Sequence, residues 1–173
     1  IIPIVNMQKK VIDFFTLNEK YLNKKTKNKA STKVIIMAGG LGLRMRPFTD
    51  IFPKPLMPVD NKTVSEHIMN NFLSNGFNKF IFSLNYKSKL IKAFFQDFKK
   101  DLISIKYIEE KKPLGTAGSL IMLKKKINKD FFVINCDSIL NLDFGSIMNY
   151  HEKEKNKITI VASMKNITVP YGV

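Results

Sequence analysis

Residues Lys33–Val59 read KVIIMAGGLGLRMRPFTDIFPKPLMPV, and this segment is the most informative part of the chain. Its first part, Val34–Met37, is a continuous apolar run of the kind that forms a buried β-strand. The run ends in glycines that allow a tight turn and leave backbone N–H groups free to bind an anion. The segment therefore predicts a strand that leads into a phosphate-binding loop, with its glycines at Gly39, Gly40 and Gly42.

Two arginines follow these glycines, and they are informative because the chain otherwise uses lysine for its positive charge. Of 29 basic residues only Arg44 and Arg46 are arginine, and Lys54 comes slightly later between two prolines. A guanidinium binds phosphate oxygens bidentately, whereas an ammonium acts as a point charge. The position of both arginines beside the loop predicts an anionic ligand.

The common phosphate-loop patterns do not account for this segment. The P-loop pattern Gly-x-x-x-x-Gly-Lys-[Ser/Thr] is absent from the chain. The dinucleotide fingerprint Gly-x-Gly-x-x-Gly lacks its third glycine, because Gly40-x-Gly42 continues to Arg44 and Pro47. An ordinary glycine turn after a buried strand is the structural alternative.

Residues 37–47 and 53–59 closely resemble the signature of the sugar-phosphate nucleotidyltransferases. That signature reads [Leu/Met]-Ala-Gly-Gly-x-Gly-Thr-Arg-[Leu/Met]-x-Pro, followed by Pro-Lys-Pro-[Leu/Met]-x-Pro-Val. Leu43 departs from it, since the family usually has threonine at this position.

A second motif, Glu110–Gly118, reads EKKPLGTAG. A glycine-flanked turn at the start of a helix offers free N–H groups and close backbone approach to a flat ligand. The motif resembles a segment of the same family, which implies contact with the nucleotide base through Glu110, Gly115 and Thr116. This form is most similar to the mannose-1-phosphate guanylyltransferases and their CBS-linked relatives, and it favours GTP. An ordinary strand-to-helix loop is the alternative.

Asp137 follows the apolar run Phe131–Asn135, in the sequence VINCDS. A carboxylate at the end of a buried strand suits Mg²⁺, which prefers oxygen ligands and substrate phosphates. Asp137 corresponds to the metal-binding aspartate of the family, while a turn or capping role is the alternative. Cys136 is interpreted as a packing residue, and Asp143 as a helix cap or a lesser site candidate.

The resemblance also implies a reaction and a set of roles. A sugar 1-phosphate oxygen would attack the α-phosphorus of a nucleoside triphosphate and expel pyrophosphate. Arg44 and Lys54 would be catalytic, with Arg44 on the leaving pyrophosphate and Lys54 on the α-phosphate and the incoming phosphate. The other implied contacts are the nucleotide-binding Ala38, Gly39, Gly40 and Gly42 and the sugar-binding Tyr171 and Gly172.

The rest of the chain alternates strand and helix patterns, which predicts an α/β, Rossmann-like, mainly parallel sheet with helices on both faces. In such sheets ligands bind beyond the carboxyl ends of the strands, and each suspected site segment falls there. Predicted helices begin after Thr63 and Lys87 and near Gly118 and Phe144. The first begins with a capping-box pattern, in which Glu66 follows Thr63 by three residues. The second is expected to bury a stripe formed by Leu90, Ile91, Phe94, Phe95 and Phe98. Further strands are predicted at Lys79–Leu84, Ser104–Ile108, Phe131–Asn135 and Ile158–Ser163.

Three regions are predicted along the chain. Residues 1–17 resemble the closing strand pair of a CBS domain, with a simple N-terminal extension as the alternative. Residues 18–32 are rich in lysine and asparagine and predict a linker. Residues 33–173 would be the N-terminal part of a nucleotidyltransferase domain, so we expect a fragment that binds nucleotide but lacks a second metal-binding aspartate.

Composition narrows the possible partners. The 173 residues are 45% hydrophobic and carry a formal net charge of +15. The lysines are spread along the chain without a nucleic-acid-binding motif, so the sequence favours general attraction of anionic substrates over nucleic acid as the main partner. No apolar run reaches the roughly 20 residues that span a bilayer, and the single cysteine fits a reducing cytoplasm.

Two functions from different classes remain open at this point. The first is nucleotidyl transfer to a sugar 1-phosphate with Mg²⁺. The second is a non-catalytic nucleotide-binding or sensing module, which Leu43 and the resemblance to a CBS domain suggest, although the retention of Arg44, Lys54 and Asp137 argues against it. The sequence does not determine the sugar or the oligomeric state.

Overall fold

The computed structural model describes residues 2–5, 11–15, 29–98, 101–112, 114–124 and 126–163. Short 3-10 turns lie at Lys29–Ser31, Leu43–Met45, Lys54–Leu56 and Gly118–Leu123. The α-helices are α1 (Phe48–Ile51), α2 (Val64–Ser74), α3 (Ser88–Phe94) and α4 (Phe144–Lys153). The strands are β1 (Ile2–Val5), β2 (Val11–Phe15), β3 (Lys33–Ala38), β4 (Pro58–Val59), β5 (Lys62–Thr63), β6 (Lys79–Leu84), β7 (Ser104–Glu109) and β8 (Phe131–Asn135).

The main feature of the described residues is a parallel sheet of four strands in the order β7, β6, β3, β8. Its register pairs Ala38 with Leu84, Leu84 with Glu109, and Met37 with Asn135. The carboxyl ends of the four strands therefore lie along one edge of the sheet. β1 and β2 form a separate antiparallel pair, and β4 and β5 form a short hairpin.

Strand β3 lies at the centre of the fold and is covered on both faces. Val34, Ile35 and Ile36 are 0% exposed. Because strand residues alternate between the two faces, Val34 and Ile36 belong to one core and Ile35 to the other. The predicted buried strand is thus confirmed, as is the predicted α/β, Rossmann-like fold.

Phenylalanines dominate the core on the Val34 face, where α2, α3 and α4 pack. Phe72 of α2 stacks on Phe144 of α4 with ring centroids 3.8 Å apart. Its ring also contacts those of Phe77, Phe80 and Phe132. The cluster joins two helices to the sheet, since Phe80 and Phe132 lie on β6 and β8.

The opposite face is covered by the 3-10 turn Gly118–Leu123. Its Leu123 is 4% exposed and packs with Ile35, Ile81 and Ile108 of the sheet. The helix predicted at this place therefore exists as a shorter, tighter turn. It carries the second motif directly onto the sheet.

Helix α2 begins with the predicted capping box. The Glu66 N–H donates to Thr63 Oγ1 at 3.2 Å, and the Thr63 N–H donates to Glu66 Oε2 at 2.7 Å. These contacts satisfy N–H groups that have no partner within the helix. The Val64 N–H donates to the Met57 carbonyl at 3.0 Å, which ties the helix to the Pro-Lys-Pro segment.

Two sequence predictions were wrong. Ile158–Ser163 forms no strand, and Ile158 and Ile160 are 79% and 83% exposed. A strand needs a neighbour to pair with, and within the described residues none lies beside this segment. In α3, Leu90 and Phe94 were predicted to be buried but are 40% and 44% exposed, because the helix ends at Phe94 and its inner face is carried by Ile91.

Parts of three other predictions fall outside the described residues: most of the proposed linker, the turn after β1, and the sugar-binding Tyr171 and Gly172. In the part of the chain that the structure describes, no helix is long and apolar enough to cross a membrane.

Candidate active site

The carboxyl-terminal edge of the sheet gathers most of the predicted site residues. β3 leads directly into the glycine loop, residues 39–42, and β7 ends immediately before Glu110. β8 ends two residues before Asp137, and the Cys136 N–H donates to the Met37 carbonyl of β3 at 3.2 Å. The two motifs and the carboxylate of Asp137 thus follow strands that end at the same edge.

The glycine loop is packed at its start and open further on. A Cβ atom on Gly39 would lie 3.2 Å from Glu110 Oε1 and 3.4 Å from Asn85 Cβ. A Cβ atom on Gly40 would meet nothing within 4 Å, so this part of the loop faces open space. Ala38 is 1% exposed, and its side chain belongs to the core.

Gly42 occupies a position that only glycine fits. Its φ of 67° lies in the left-handed region, which is unfavourable for residues with a Cβ atom. A Cβ atom there would also lie 2.7 Å from Thr49 Cγ2. Gly42 precedes the 3-10 turn Leu43–Met45, so its conformation sets the direction of the turn that carries Arg44.

The three cations near the loop differ in their partners. Lys54 Nζ donates to Asp137 Oδ2 at 2.5 Å, with the two side chains 31% and 45% exposed. Arg46 pairs with Asp50 at 3.2 Å on the surface. Arg44 is exposed, and among the described residues it makes no ion pair or hydrogen bond. The guanidinium of Arg44 is therefore available for an anionic ligand.

Asp137 fits a metal that is shared with a ligand. In the described ranges, no group of three His, Cys, Asp or Glu side chains is placed to hold a metal ion. Mg²⁺ is commonly bound by one or two carboxylates together with substrate phosphates and waters. The accessible carboxylate of Asp137 suits that arrangement and does not form a metal cage made by protein alone.

Cys136, beside Asp137, behaves as a packing residue. It is 7% exposed. Burial, reinforced by the negative charge of Asp137, raises the pKa of Cys136 from 9.0 to about 11. The thiol is therefore neutral at physiological pH and has little nucleophilic character.

The Glu110 carboxylate holds the second motif against the sheet. It is 9% exposed. Its Oε1 accepts a hydrogen bond from the Ser83 hydroxyl at 2.9 Å, and its Oε2 accepts one from the Leu114 N–H at 3.0 Å. Asn85 Nδ2 donates to the Glu110 carbonyl at 2.7 Å. The motif is thereby fixed beside the start of the glycine loop.

The remaining part of the second motif is accessible. Gly115 has a φ of 82°, and a Cβ atom there would meet nothing within 4 Å. Thr116 is exposed as well. These two predicted contacts therefore lie at an open surface, whereas Glu110 lies beneath it.

Five residues outside the predicted set also shape the site: Thr49, Ser83, Asn85, Tyr86 and Lys87. Only their position in the sequence could have indicated them, since Thr49 lies within the first motif and the others lie at the end of β6 or just after it.

Asp143, the lesser candidate, caps α4 by accepting the Ser146 N–H at 3.0 Å.

Similarity to known proteins covers residues 33–173. The profile of a family described as nucleotidyl transferase matches residues 33–173. The mannose-1-phosphate guanylyltransferase catalytic subunit beta of Dictyostelium discoideum is 33% identical over 144 residues, and the mannose-1-phosphate guanyltransferase of Aspergillus fumigatus is 32% identical over 145. Each match covers 82% of this chain and 40% of the relative. The chain therefore spans about 40% of the length of these relatives.

Solved structures extend the comparison to the fold. HddC from Yersinia pseudotuberculosis, solved with GMP-PN, has a TM-score of 0.62 and 30% identity, covering 69% of this chain and 54% of HddC. A UDP-glucose pyrophosphorylase solved with UDP-glucose has a TM-score of 0.61 at 16% identity, covering 72% and 54%, and shares the fold. The chain therefore belongs to the nucleotidyl transferase family, among the sugar-phosphate nucleotidyltransferases.

Proposed function

We propose that the protein transfers a GMP group from GTP to a sugar 1-phosphate, forming an NDP-sugar and releasing pyrophosphate. The observation that carries this proposal is the contact of Lys54 Nζ with Asp137 Oδ2 at 2.5 Å. It sets an ammonium beside a carboxylate at the edge where the glycine loop begins, with the exposed Arg44 in the next turn. A triphosphate needs both charge neutralisation and an oxygen ligand for its metal.

The reaction is an in-line displacement at the α-phosphorus. An oxygen of the sugar 1-phosphate bonds to the α-phosphorus while the bond from that atom to the β-phosphate bridging oxygen breaks. Pyrophosphate leaves with the electron pair. Positioning and charge neutralisation supply most of the rate in such a step, so no covalent intermediate on the protein is required.

Each group of the site has one role in this reaction. The N–H groups of Gly39, Gly40 and Gly42 hold the triphosphate, and Arg44 neutralises the leaving pyrophosphate. Lys54 contacts the α-phosphate and the incoming phosphate. The ammonium of Lys54 balances the charge of Asp137 in the ligand-free protein, and bound phosphates give it a second partner.

Asp137 is the residue that we assign to Mg²⁺. One accessible carboxylate is what Mg²⁺ commonly takes from a protein when substrate phosphates complete its coordination. The metal, when bound, supplies neutralisation of phosphate charge.

GTP is the proposed nucleotide. Two relatives are named as guanylyl- or guanyltransferases, and HddC was solved with GMP-PN. The open surface at Gly115 and Thr116 supports a base site there. Glu110 retains acceptor capacity, because a carboxylate has about four lone-pair sites and the protein uses two. Guanine offers an amino group as a matching donor.

The other parts of the proposal concern regions beyond this site. We assign the sugar to Tyr171 and Gly172, residues 33–173 to the N-terminal part of the catalytic domain, 18–32 to a linker and 1–17 to the end of a CBS domain. The buried thiol of the chain's single cysteine, Cys136, is in keeping with a reducing cytoplasm.

The test is pyrophosphate release by the full-length protein with GTP, Mg²⁺ and a panel of hexose 1-phosphates. Release that needs both substrates and is lost in Asp137→Asn would support the proposal. Binding of GTP without release from any sugar phosphate would support a nucleotide-sensing module instead.

A further inference from the structure

The glycine loop is supported from behind by three residues that we call the brace: Thr49, Tyr86 and Lys87. Thr49 lies on α1 and is 1% exposed. Its Oγ1 donates to the Gly42 carbonyl at 2.9 Å, and its methyl group fills the space beside the Gly42 Cα. Both ends of this side chain therefore hold Gly42 in place.

Helix α1 is held in turn by the residues that follow β6. The Tyr86 hydroxyl donates to the Thr49 carbonyl at 3.2 Å. Lys87 Nζ donates to the carbonyl of Asp50, and to that of Ile51 at 2.8 Å. These carbonyls lie at the C-terminal end of α1, where they lack partners in the helix and carry partial negative charge.

The backbone of Lys87 is strained where it makes these contacts. Its φ of 50° and ψ of 36° place it in the left-handed region, which is unfavourable for a residue with a Cβ atom. Its ammonium also lies 5.3 Å from the centre of the Tyr86 ring. Such a conformation persists only where surrounding contacts hold it, and here they connect β6 to α1.

From these contacts we infer that Thr49 and Lys87 are positioning residues for the phosphate end of the nucleotide site. The segment that follows β6 holds α1 through Lys87, and α1 holds Gly42 through Thr49. Gly42 sets the turn that carries Arg44. Neither Thr49 nor Lys87 touches the nucleotide in this scheme, which rests on the proposed function of the loop.

The brace can be tested with substitutions that each alter one side chain. Thr49→Val keeps the shape but removes the hydroxyl, whereas Thr49→Ser keeps the hydroxyl. Lys87→Met removes the ammonium. Lys79→Met is the matched control, because Lys79 is an exposed lysine at the opposite end of the same strand.

Calorimetric titration of the chain with GTP and with inorganic tripolyphosphate, both with Mg²⁺, gives the readout. Loss of a hydrogen bond from the brace should weaken both ligands by about tenfold in Thr49→Val and Lys87→Met. Lys79→Met should bind as the unaltered chain does, and Thr49→Ser should bind more tightly than Thr49→Val because it keeps the hydroxyl. The double variant Thr49→Val with Lys87→Met should lose no more affinity than either single variant. The reason is that Lys87 acts on the loop only through Thr49.

Amide hydrogen exchange separates positioning from general destabilisation. In Lys87→Met, exchange should quicken in the glycine loop and at residues 43–46, while the amides of β3 keep their protection. Unchanged ligand affinity in Thr49→Val and Lys87→Met would overturn the brace while leaving the proposed function standing. If the unaltered chain binds neither ligand, the proposed function fails first.

Discussion

Lys54 and Asp137 are 83 positions apart in the sequence, and their side chains meet at 2.5 Å. Both side chains are partly exposed, at 31% and 45%. Exposed ion pairs of this kind contribute about 0–1 kcal/mol to folding, because water screens them. The pair therefore matters mainly for the charge that it presents to a ligand.

Replacing Lys54 or Asp137 should have little effect on stability but a large effect on catalysis. Lys54→Met and Asp137→Asn should each change the free energy of unfolding by no more than about 1 kcal/mol. In the full-length protein each should lower kcat by about 10²–10³-fold, as expected when a preorganised charge is removed from the reacting phosphate. Thermal unfolding and pyrophosphate release measure the two effects, with the exposed Lys62→Met as control. Unaltered turnover in Lys54→Met would contradict the assigned role.

Gly42 and Gly40 offer a second comparison between single residues. Gly42→Ala should reduce the free energy of unfolding by at least about 1–2 kcal/mol, because alanine is unfavourable at a φ of 67°. Its Cβ atom would also lie 2.7 Å from Thr49 Cγ2. Gly40→Ala, where a Cβ atom has open space, should be close to neutral. Denaturant unfolding of the ligand-free chain measures both, and equal stability of the two variants would contradict this geometry.

At this scale the sequence predicted which residues gather but not how they pair. The alternation of strands and helices implied that the glycine loop and Asp137 each follow the carboxyl end of a strand in one parallel sheet. Contact between Lys54 and Asp137 depends on the path of residues 43–54, which no local pattern encodes. The burial of Glu110 could not be predicted from a local pattern either, because its partner Ser83 lies 27 positions away.

At the scale of elements, α2 and α4 are joined to the sheet through Phe72. This side chain is 1% exposed and stacks on Phe144 at 3.8 Å. It also makes edge contacts with Phe77 and Phe80. Removing the ring would leave a cavity where α2, α4 and the sheet meet, and these elements are distant from one another in the sequence.

Phe72→Ala should therefore lower the free energy of unfolding by about 3–5 kcal/mol, the usual range for a buried phenylalanine. Phe48→Ala is the matched control, because Phe48 is 64% exposed on α1 and should cost under about 0.5 kcal/mol. Urea denaturation followed by circular dichroism measures both. Comparable losses in the two variants would show that Phe72 is not the centre of the core.

Elements were predicted well where one local pattern decided them. The apolar run of β3 and the capping box at Thr63 have local causes, and both are present. The segment Ile158–Ser163 has strand composition, but a strand depends on pairing that the segment itself does not supply. In α3 the predicted stripe of buried residues required a longer helix than Ser88–Phe94, which is what the structure forms.

For the whole molecule, exposed apolar side chains and net charge have opposite effects on self-association. Phe131 and Val133 of β8 are 38% and 44% exposed, and Ile158 and Ile160 more so. β8 is an end strand of the sheet that the described residues form, and exposed apolar residues favour association. The net charge of +15 opposes association by mutual repulsion.

Association of the chain should therefore increase with salt, since about 1 M salt reduces the screening length to roughly 3 Å. Ile158→Lys with Ile160→Lys should suppress this association. Leu102→Lys is the control, because Leu102 is 64% exposed just before β7, the end strand opposite β8. Sedimentation velocity at low and high salt measures the effect. Association that is unchanged by the two isoleucine substitutions would contradict the assignment of Ile158 and Ile160 to the associating surface.

The most direct test of the nucleotide site is the melting temperature of this chain with GTP, UTP, CTP or ATP in the presence of Mg²⁺. A ligand at 100 times its Kd stabilises the folded state by about 2.7 kcal/mol. GTP should raise the melting temperature most, and Arg44→Gln with Lys54→Met should remove the increase. A chain that no nucleotide stabilises, or a double variant that keeps the full increase, would contradict the proposed nucleotide site.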